Sequence, residues 1–484
     1  MANYRSPGVY VEEISLLPPS IAEVDSAVPA FVGYTQMATQ LIADDLLNVA
    51  TPLNSMSDFI QYFGGPEAEA PANITIVVDE QQNASKVTTG FKTTVTPNTA
   101  NTSKHILYHA INHFYANGGS SCYVVSVGKY TDGAADKAKL EAGIDIVGLE
   151  DAPTMLVVPE AIYLDQASFD EINQKLLTQA STLGDRFAIL DTRITTTPKG
   201  PGTITSDAGT AINNIPADES LREFGAVYYP FLETTYNYQF TFDNLTLNTY
   251  TINGAAPVAP APNLTGSLMG ALKGTAAALY AAVQAEFNKY HIILPPSAAM
   301  AGVYTRVDDT RGYWKAPANV SILNVVKPVV SVARADQDLL NVNTDTGKSV
   351  NAILNMPGYG TMVMGARTLD GNSDEWKYIN VRRFFSVVEE SIKKSTGWVV
   401  FEPNTSATWV KVQAMIENYL FQKWRDGALA GAKPEQAYFV NVGLGTTMTS
   451  TDILEGRMII QIGMAVSRPA EFIILQFEQM AQTS

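Results

Sequence analysis

The sequence predicts an α/β protein, α+β overall, with a parallel sheet, an inserted β-rich domain and a separate C-terminal domain. From residue 122 to residue 232, short and continuously apolar runs alternate with helical patterns, which favours a parallel sheet covered on both faces. Residues 234–290 interrupt this alternation with a Thr-, Tyr- and Asn-rich stretch, a Pro-rich linker and an Ala-rich helix. Residues 376–432 contain four of the five tryptophans, and large aromatic side chains at helical spacing indicate a densely packed unit.

Residues 1–25 are expected to form an extended arm. Pro7-Gly8 favours a turn, Val9–Ile14 favours a strand, and Pro18-Pro19 excludes a helix. Such an arm cannot bury its own apolar side chains. It therefore either packs back onto its own chain or pairs with the sheet edge of another subunit, and the residues alone leave both possibilities open.

The α/β domain is predicted over residues 26–350. Apolar runs and helical periodicity predict strands at 30–35, 122–127, 155–159, 187–190 and 226–232, and helices at 104–116, 134–142, 168–183 and 297–307. Two β-rich runs within 73–95 predict a hairpin, and residues 234–290 predict an inserted surface domain, which costs a fold little stability.

The C-terminal domain is predicted over residues 351–484, with its centre in two amphipathic helices. Trp398–Phe401 is apolar and predicts a short buried strand between these helices, and Asn404 is the expected N-cap of the second helix. Further strands are expected at 437–442, 457–467 and 471–477. The last of these is apolar on both faces, which favours a central position in a sheet.

Composition excludes several classes of protein. The net charge of the 484 residues is −16 and no basic stripe is visible, so nucleic acid is not an expected partner. No apolar run has the length of a membrane helix, and Cys122 is the only cysteine, so no intrachain disulfide can form. The first residues, MANYRSPGVYVEEI, lack the apolar centre of a signal peptide. We therefore expect the protein to be made and assembled in the cytoplasm, without direct insertion into a membrane.

The motifs that carry chemistry are incomplete. His105, His109 and His113 share a helix face, but no carboxylate or cysteine completes a metal site, so they are expected to form the polar shoulder of an amphipathic helix. Thr346–Ser349 resembles only the end of a phosphate loop, and the mixed charges around Asp308-Asp309 predict a salt-bridge network. We expect neither a cofactor nor a metal, and an enzyme is disfavoured.

Several long stretches resemble the sheath proteins of contractile phage tails and of phage-tail-like contractile injection systems. They are SPGVYVEEI (6–14), NGGSSCYVVSVG (117–128), YYPFL (228–232), PPSAAMAGVYTRVDDTRGYWKAPAN (295–319), GARTL (365–369), YINVRRFFSVVEESIKKSTGWVVFEPN (378–404) and WRDGALAGA (424–432). The resemblance covers both ends and the α/β middle. It is weak across 36–104 and 191–290, where such proteins vary.

The resemblance implies a fold and a role. The α/β domain would be the subtilisin-like sheath domain of the family, without its protease triad, and the C-terminal domain would form the inner wall of a sheath. That sheath would consist of stacked hexameric rings around a rigid tube and would contract to drive the tube through a target envelope. The expected partners are other copies of the chain, the inner tube protein, and baseplate and tail-terminator or cap proteins.

The resemblance also implies strand exchange between subunits, in which arms complete the β-sheet of a neighbouring C-terminal domain. The residues expected to form this linkage are Val9, Tyr10, Val11 and Glu12 in the N-terminal arm, and Phe472, Ile473, Ile474 and Leu475 at the C-terminal end.

Contact with the inner tube is expected from the second helix of the C-terminal domain. Lys411, Lys423 and Arg425 could meet an acidic tube surface, although a solvated polar face explains the same spacing equally well. Two other functions compete with the sheath: an enzyme on a subtilisin-like or dinucleotide-binding scaffold, which the missing motifs disfavour, and a monomeric binding module, which the unpaired terminal strands disfavour.

Overall fold

The computed structural model describes residues 20–98, 100–193, 209–210, 212–213, 215–216, 218–343 and 345–471. Within these residues the chain divides into two compact units. The larger unit contains residues from Asp25 to Ser386 and from Pro469 onwards, and the smaller unit contains residues up to Val24 and from Val387 to Arg468.

The described α-helices are α1 Met56–Phe63, α2 Leu107–Ala116, α3 Lys137–Val147, α4 Gln166–Leu183, α5 Glu219–Arg222, α6 Met269–Thr275, α7 Ala277–Phe287, α8 Ser297–Arg311, α9 Arg334–Asn341, α10 Ile379–Ser395, α11 Ser406–Arg425, α12 Pro434–Ala437 and α13 Ser450–Leu454. The described strands are β1 Pro29–Thr35, β2 Thr51–Leu53, β3 Ile74–Gln82, β4 Thr88–Pro97, β5 Cys122–Lys129, β6 Met155–Val157, β7 Phe187–Asp191, β8 Gly225–Tyr229, β9 Leu232–Asn237, β10 Leu247–Ile252, β11 His291–Leu294, β12 Val320–Ser321, β13 Val325–Pro328, β14 Asn351–Met356, β15 Gly360–Val363, β16 Tyr438–Val442 and β17 Ile460–Met464.

A nine-stranded sheet organises the larger unit, in the spatial order β12-β15-β14-β8-β7-β6-β1-β5-β2. The strands from β14 to β5 run parallel to one another. Strands β15, β12 and β2 join the two edges through antiparallel pairing. The parallel sheet predicted from the apolar runs is confirmed.

Helices cover both faces of this sheet. Successive side chains of a strand point to opposite faces, so Val32 and Tyr34 of β1 lie in one core cluster and Phe31 lies in the other. The first cluster includes apolar residues of α3 and α4, and the second includes apolar residues of α1, α2 and α8. This double burial explains why the strands are apolar throughout rather than alternating.

Helices α2 and α8 pack closely against each other on the second face. A β-carbon at Gly302 of α8 would overlap the backbone carbonyl oxygen of Phe114 in α2. At the end of α2, the Asn117 amide donates to the His113 carbonyl at 2.9 Å and accepts from the Leu323 N–H at 2.8 Å. The predicted stop after residue 116 is confirmed, and it fixes the helix end to a following loop.

The inserted subdomain is built from two distant segments of the chain. Strands β3 and β4 form the predicted hairpin, and β10 adds to β3 in parallel. Residues of β3, β4, β10, α6 and α7 share an apolar core of their own, which includes Ile76, Val95, Tyr250, Leu272 and Val283. Residues 234–290 therefore do not form this insertion alone, because the stretch around 74–97 supplies two of its three strands.

The smaller unit begins at a different residue from the C-terminal domain predicted over 351–484. Residues 351–386 belong to the larger unit, because β14 pairs with β8 and with β15 in the central sheet. Helix α10 starts in the larger unit and ends in the smaller one. A helix that runs through the boundary leaves no loop signal there for the sequence to reveal.

In the smaller unit, α11 packs its buried face on the β16–β17 hairpin. The expected strand at Trp398–Phe401 is absent. Its place is taken by a 3₁₀ turn at Gly397–Val399, after which Val400 and Phe401 are exposed. The N-cap of α11 is Thr405, and the preceding Asn404 instead accepts a hydrogen bond from the Trp409 indole at 2.7 Å.

We expect Gly302→Ala to destabilise the larger unit by about 1–3 kcal/mol, because the added methyl group must push α8 away from α2. Gly274→Ala is the matched control: its β-carbon would meet nothing within 4 Å in α6, so the change should be neutral or stabilise by up to about 1 kcal/mol. Differential scanning calorimetry of both variants tests this. Equal midpoints for Gly302→Ala and the unmodified protein would contradict the close helix crossing.

Candidate functional site

The carboxyl edge of the parallel sheet is the first place to look for a site. In space β1 lies between β5 and β6, so the chain reverses its direction of winding at β1. Open α/β sheets bind their ligands in the crevice at such a point, outside the carboxyl ends of the strands. Residues that follow β1 and β6 therefore decide whether a ligand could enter.

The side chain of Glu160 fills this crevice. Glu160 lies in the turn that follows β6 and is fully buried. Its Oε2 accepts the backbone N–H of Tyr34 at 2.8 Å, and its Oε1 accepts that of Leu107, the first residue of α2, at 3.2 Å. A β-carbon at Gly33 would lie 2.8 Å from Oε2, so glycine leaves room for the carboxyl group. The protein thus places its own acid where a bound anion would meet a helix N-terminus.

Neighbouring residues close the crevice further. The Tyr130 hydroxyl donates to the Gly65 carbonyl at 3.0 Å, and the Ser103 N–H donates to Glu69 at 2.9 Å. Burial raises the pKa of Glu160 to about 8, against the opposing effect of its backbone N–H donors. A buried acid with a raised pKa is a feature of active sites, but here every described contact of its carboxyl group is to the backbone that it joins.

A second buried acid follows the adjacent strand. Asp191 ends β7, and its two oxygens accept the N–H of Ser297 at 2.9 Å and the Ser297 hydroxyl at 2.5 Å. Burial raises the pKa of Asp191 to about 7. Ser297 begins α8, so the contact caps that helix. A hydrolytic serine would need a histidine as its base, and no described hydrogen bond of Ser297 is to a histidine.

The histidines of α2 are core residues. His109 and His113 are buried beside Tyr236, at ring-centroid distances of 6.3 and 5.8 Å, and the Nε2 of His113 lies 3.0 Å from the Leu323 carbonyl. Burial lowers the pKa of both imidazoles to about 4, so both rings are neutral near pH 7. Across the described residues, no three histidine, cysteine or carboxylate side chains are grouped as metal ligands.

The remaining motifs are also used structurally. The Lys348 ammonium of the phosphate-loop-like stretch is buried and donates to the carbonyls of Ile212 and Ile215. The expected salt-bridge network at Asp308 is present, but its partner is Arg383, whose guanidinium lies 3.0 Å from Asp308 and 4.8 Å from the ring centre of Tyr304. None of these groups is left for a substrate among the described residues.

In the smaller unit, residues 20–24 are tied to two helices. The Ala22 and Val24 N–H groups each donate to a serine hydroxyl of α10, Ser395 and Ser391, at 3.1 Å. Between them, Glu23 accepts a hydrogen bond from the Lys423 ammonium of α11 at 2.7 Å. The segment therefore lies along α10, with its N-terminal end toward the C-terminal end of that helix.

The three cations predicted to face a tube have different surroundings. Lys423 is buried by its ion pair with Glu23, so its charge is engaged within the unit. Lys411 and Arg425 are exposed on α11, on an arc that also presents the apolar side chains of Val410 and Phe421 to solvent. Contact of this arc with a tube stays a prediction.

The hairpin of the smaller unit is a two-stranded sheet in the described part of the chain. Its register runs from Tyr438 opposite Met464 to Val442 opposite Ile460. Beyond the end of β17, Val466 forms an antiparallel bridge with Leu429. Along β16 and β17 themselves no further described strand pairs with an outer edge, and unpaired strand edges are templates for strand addition. Both predicted linking segments, Val9–Glu12 and Phe472–Leu475, lie outside the described residues.

Comparison with known proteins identifies the fold. Residues 372–480 match the family model of the phage tail sheath C-terminal domain. The tail sheath protein of Enterobacteria phage T4 is 27% identical over 141 residues, which are 28% of this chain and 21% of that protein. A chain of the baseplate of the anti-feeding prophage (AFP), six-fold symmetrised, is 29% identical over 99% of this chain and 100% of its own, with a TM-score of 0.63. A chain of the contracted sheath complex of PVC, an extracellular contractile injection system, is 31% identical over 99% of both chains, with a TM-score of 0.63.

This chain belongs to the contractile sheath protein family. Its role is that of a structural sheath subunit, as the resemblance implied. No helix of this sheath protein, in the ranges that the structure describes, is both long and apolar enough to span a bilayer.

Sequence reasoning missed the two buried acids at the carboxyl edge of the sheet of this sheath protein. Glu160 and Asp191 each come directly after, or at the end of, a short buried strand. The carboxyl ends of parallel strands meet at one edge of a sheet, so this position alone was a usable signal. The position in the sequence does not show which helix each acid bonds, because the contacts with α2 and α8 are tertiary.

We expect the stability of the sheath protein to fall as the pH rises from about 6.5 to 8, where His109 and His113 are already largely neutral in both the folded and the unfolded chain, and we expect Glu160→Gln to weaken this dependence. The folded pKa of Glu160, about 8, lies above the unfolded value. Its contribution to stability is therefore fully present below about pH 4.5 and is lost as the pH rises through about 8, by at most about 1.4 kcal/mol per pH unit. Urea unfolding at pH 5, 7 and 8.5 measures the effect.

The control for this experiment is Glu219→Gln, which removes an exposed carboxylate of the same unit. Its pH profile should follow that of the unmodified protein. Asp191 retains part of the slope in Glu160→Gln, because its pKa is also raised, to about 7. A Glu160→Gln profile that is as steep as that of the unmodified protein would contradict the assignment.

Proposed function

We propose that this sheath protein polymerises into stacked hexameric rings around a rigid inner tube and contracts to drive the tube through a target envelope. The likeness to a sheath chain of PVC over 99% of both chains is the observation that carries the proposal. The six-fold symmetrised AFP baseplate contains a relative of equal coverage, which supports a six-membered ring and contact with a baseplate.

The proposed links between subunits are strands. Val9–Glu12 and Phe472–Leu475 of neighbouring copies add to the outer edges of the β16–β17 hairpin, a form of strand addition. Each backbone hydrogen bond adds roughly 0.5–1.5 kcal/mol net, and each strand forms several. The unpaired edge positions along β16 and β17 support this assignment, because a two-stranded sheet is marginally stable by itself.

Contraction in this proposal moves subunits as rigid bodies while their strand links persist. The extended sheath is metastable, so contraction releases free energy that was stored during assembly and consumes no nucleotide. The chain itself performs no chemistry. The closed carboxyl edge of its parallel sheet supports this part of the proposal, because the crevice where α/β enzymes bind substrates is filled by Glu160.

The other partners follow from the same role. The sheath is assembled in the bacterial cytoplasm on the inner tube protein, between a baseplate and a tail-terminator or cap protein. The exposed arc of α11 with Lys411 and Arg425 is the proposed contact with an acidic tube surface. Val410 and Phe421 on the same arc add apolar area, so contact there need not depend on charge alone.

Deleting residues 1–19 should leave a folded monomer that no longer forms sheaths. The deletion removes the proposed N-terminal link but keeps residues 20–24, whose contacts with Ser391, Ser395 and Lys423 hold them to the unit. Circular dichroism tests the fold, and sedimentation with negative-stain microscopy tests assembly. Tubes or rings of the usual length and number from the shortened protein would refute the strand link.

Reversing the charges of the α11 arc, Lys411→Glu with Arg425→Glu, should weaken binding of the tube and leave the fold intact. Both side chains are exposed, so stability should change by less than about 0.5 kcal/mol. The control Lys92→Glu changes an equally exposed charge on the inserted subdomain. Co-sedimentation of assembled sheath with the tube protein of the same particle, at two salt concentrations, measures binding. Equal tube binding by both variants would contradict the contact.

A further inference from the structure

The turn that joins α10 to α11 presents one aromatic residue to solvent. The Glu402 N–H donates to the Val399 carbonyl at 3.0 Å, and Val400 has φ −63° and ψ 124°. Phe401 has φ +71°. These values define a type II β-turn with phenylalanine at the position that requires a positive φ, where glycine or asparagine is normally found.

Two features of this turn are unfavourable in an isolated subunit. The left-handed backbone at Phe401 is strained for a residue with a bulky side chain. The ring is also fully exposed, and Val400 beside it is 65% exposed. No described residue of the chain covers the ring. Contacts within the described part of the subunit therefore offset neither the backbone strain nor the exposure of the ring. A strained, exposed aromatic side chain has the properties of an interface anchor, since aromatic residues contribute most to interface energies.

The position of the turn indicates which partner covers it. Ala22 contacts Ser395, at the end of α10, only six residues before Phe401. The described chain therefore begins, at Ser20, near the end of α10 from which the turn continues, and nineteen residues precede it. Fully extended, they reach at most about 65 Å, which is enough to reach a second subunit.

We propose that Phe401 is an anchor for a second copy of this chain and enters an apolar pocket of a neighbouring subunit when the sheath assembles. The inference rests on the proposed function, in which the N-terminal arm draws a neighbour toward this end of the unit. The inner tube is the less suitable partner. The charged residue next to Phe401 is the exposed Glu402, whose carboxylate would be repelled by the acidic tube surface that the α11 arc is proposed to meet.

Substitutions at this position separate the anchor from the turn. Phe401→Gly removes the ring and suits the turn, so the monomer should be as stable as the unmodified protein or more stable. Its half-assembly concentration should rise about tenfold or more, as expected for loss of an interface hot spot. Phe401→Ala should lose assembly equally, and Phe401→Trp should retain most of it. Val258→Gly, at an exposed apolar residue of the inserted subdomain, is the control and should assemble normally.

Photocrosslinking identifies the partner directly. Benzoylphenylalanine at position 401 keeps an aromatic ring there, and irradiation of assembled sheaths should give covalent dimers in which position 401 is joined to an apolar peptide of another copy. A crosslink to the tube protein, a monomer-sized product joined to residues 1–19 of its own chain, or no crosslink would each overturn the proposal.

Assembly of the Phe401→Gly variant at the normal concentration would also overturn it. If deletion of residues 1–19 blocks assembly while Phe401→Gly does not, the strand link stands and the anchor fails. If neither change impairs assembly, both the strand link and the anchor fail.

Discussion

The larger unit depends on the bonding of buried acids to the N-termini of two helices. The first backbone N–H groups of a helix have no partner within it and must be satisfied from elsewhere. Neither α2 nor α8 has a side-chain cap at its own N-cap residue, Ile106 or Pro296. Glu160 and Asp191, at the ends of adjacent strands, supply the acceptors instead. Since α2 and α8 also cross closely at Gly302, the sheet and both helices are joined at the edge where other α/β proteins keep an open crevice.

This arrangement suits a subunit that moves without changing its own structure. A ligand crevice needs free polar groups and room, whereas at the crevice beside β1 and β6 the Glu160 carboxyl group is already bonded and occupies the space. Another buried charge of this unit is also paired, because Arg383 bonds to Asp308 and lies over Tyr304. Buried charges that are paired and hydrogen-bonded are costly to separate, so they resist local opening under load. We therefore expect the functional contacts of this subunit at its strand edges and chain ends rather than in a cavity.

The sequence predicted most of the elements but not how distant elements combine. Apolar runs located β1, β5, β7 and β8 because burial on both faces leaves a clear local pattern. The inserted subdomain was only half recognised, since nothing local in 74–97 indicates that β10 will pair with β3. The domain boundary at 351 differs from the observed one because α10 runs through the junction without a break. Trp398–Phe401 was wrongly expected to be a buried strand. A short apolar run does not show whether other residues of the same chain bury it or leave it exposed.

The exposed turn at Trp398–Phe401 indicates where the free energy of assembly originates. The larger unit bonds its buried acids to the N-termini of α2 and α8 and buries its parallel strands on both faces, so its described core gains little from a partner. The smaller unit has unpaired edge positions along β16 and β17, an exposed apolar and basic arc on α11, and a phenylalanine in a strained turn that no described residue covers. Unpaired edges and uncovered apolar side chains gain free energy only when a partner arrives. In the proposed contraction, subunits re-orient at these places while their strand links persist and the core of the larger unit keeps its structure.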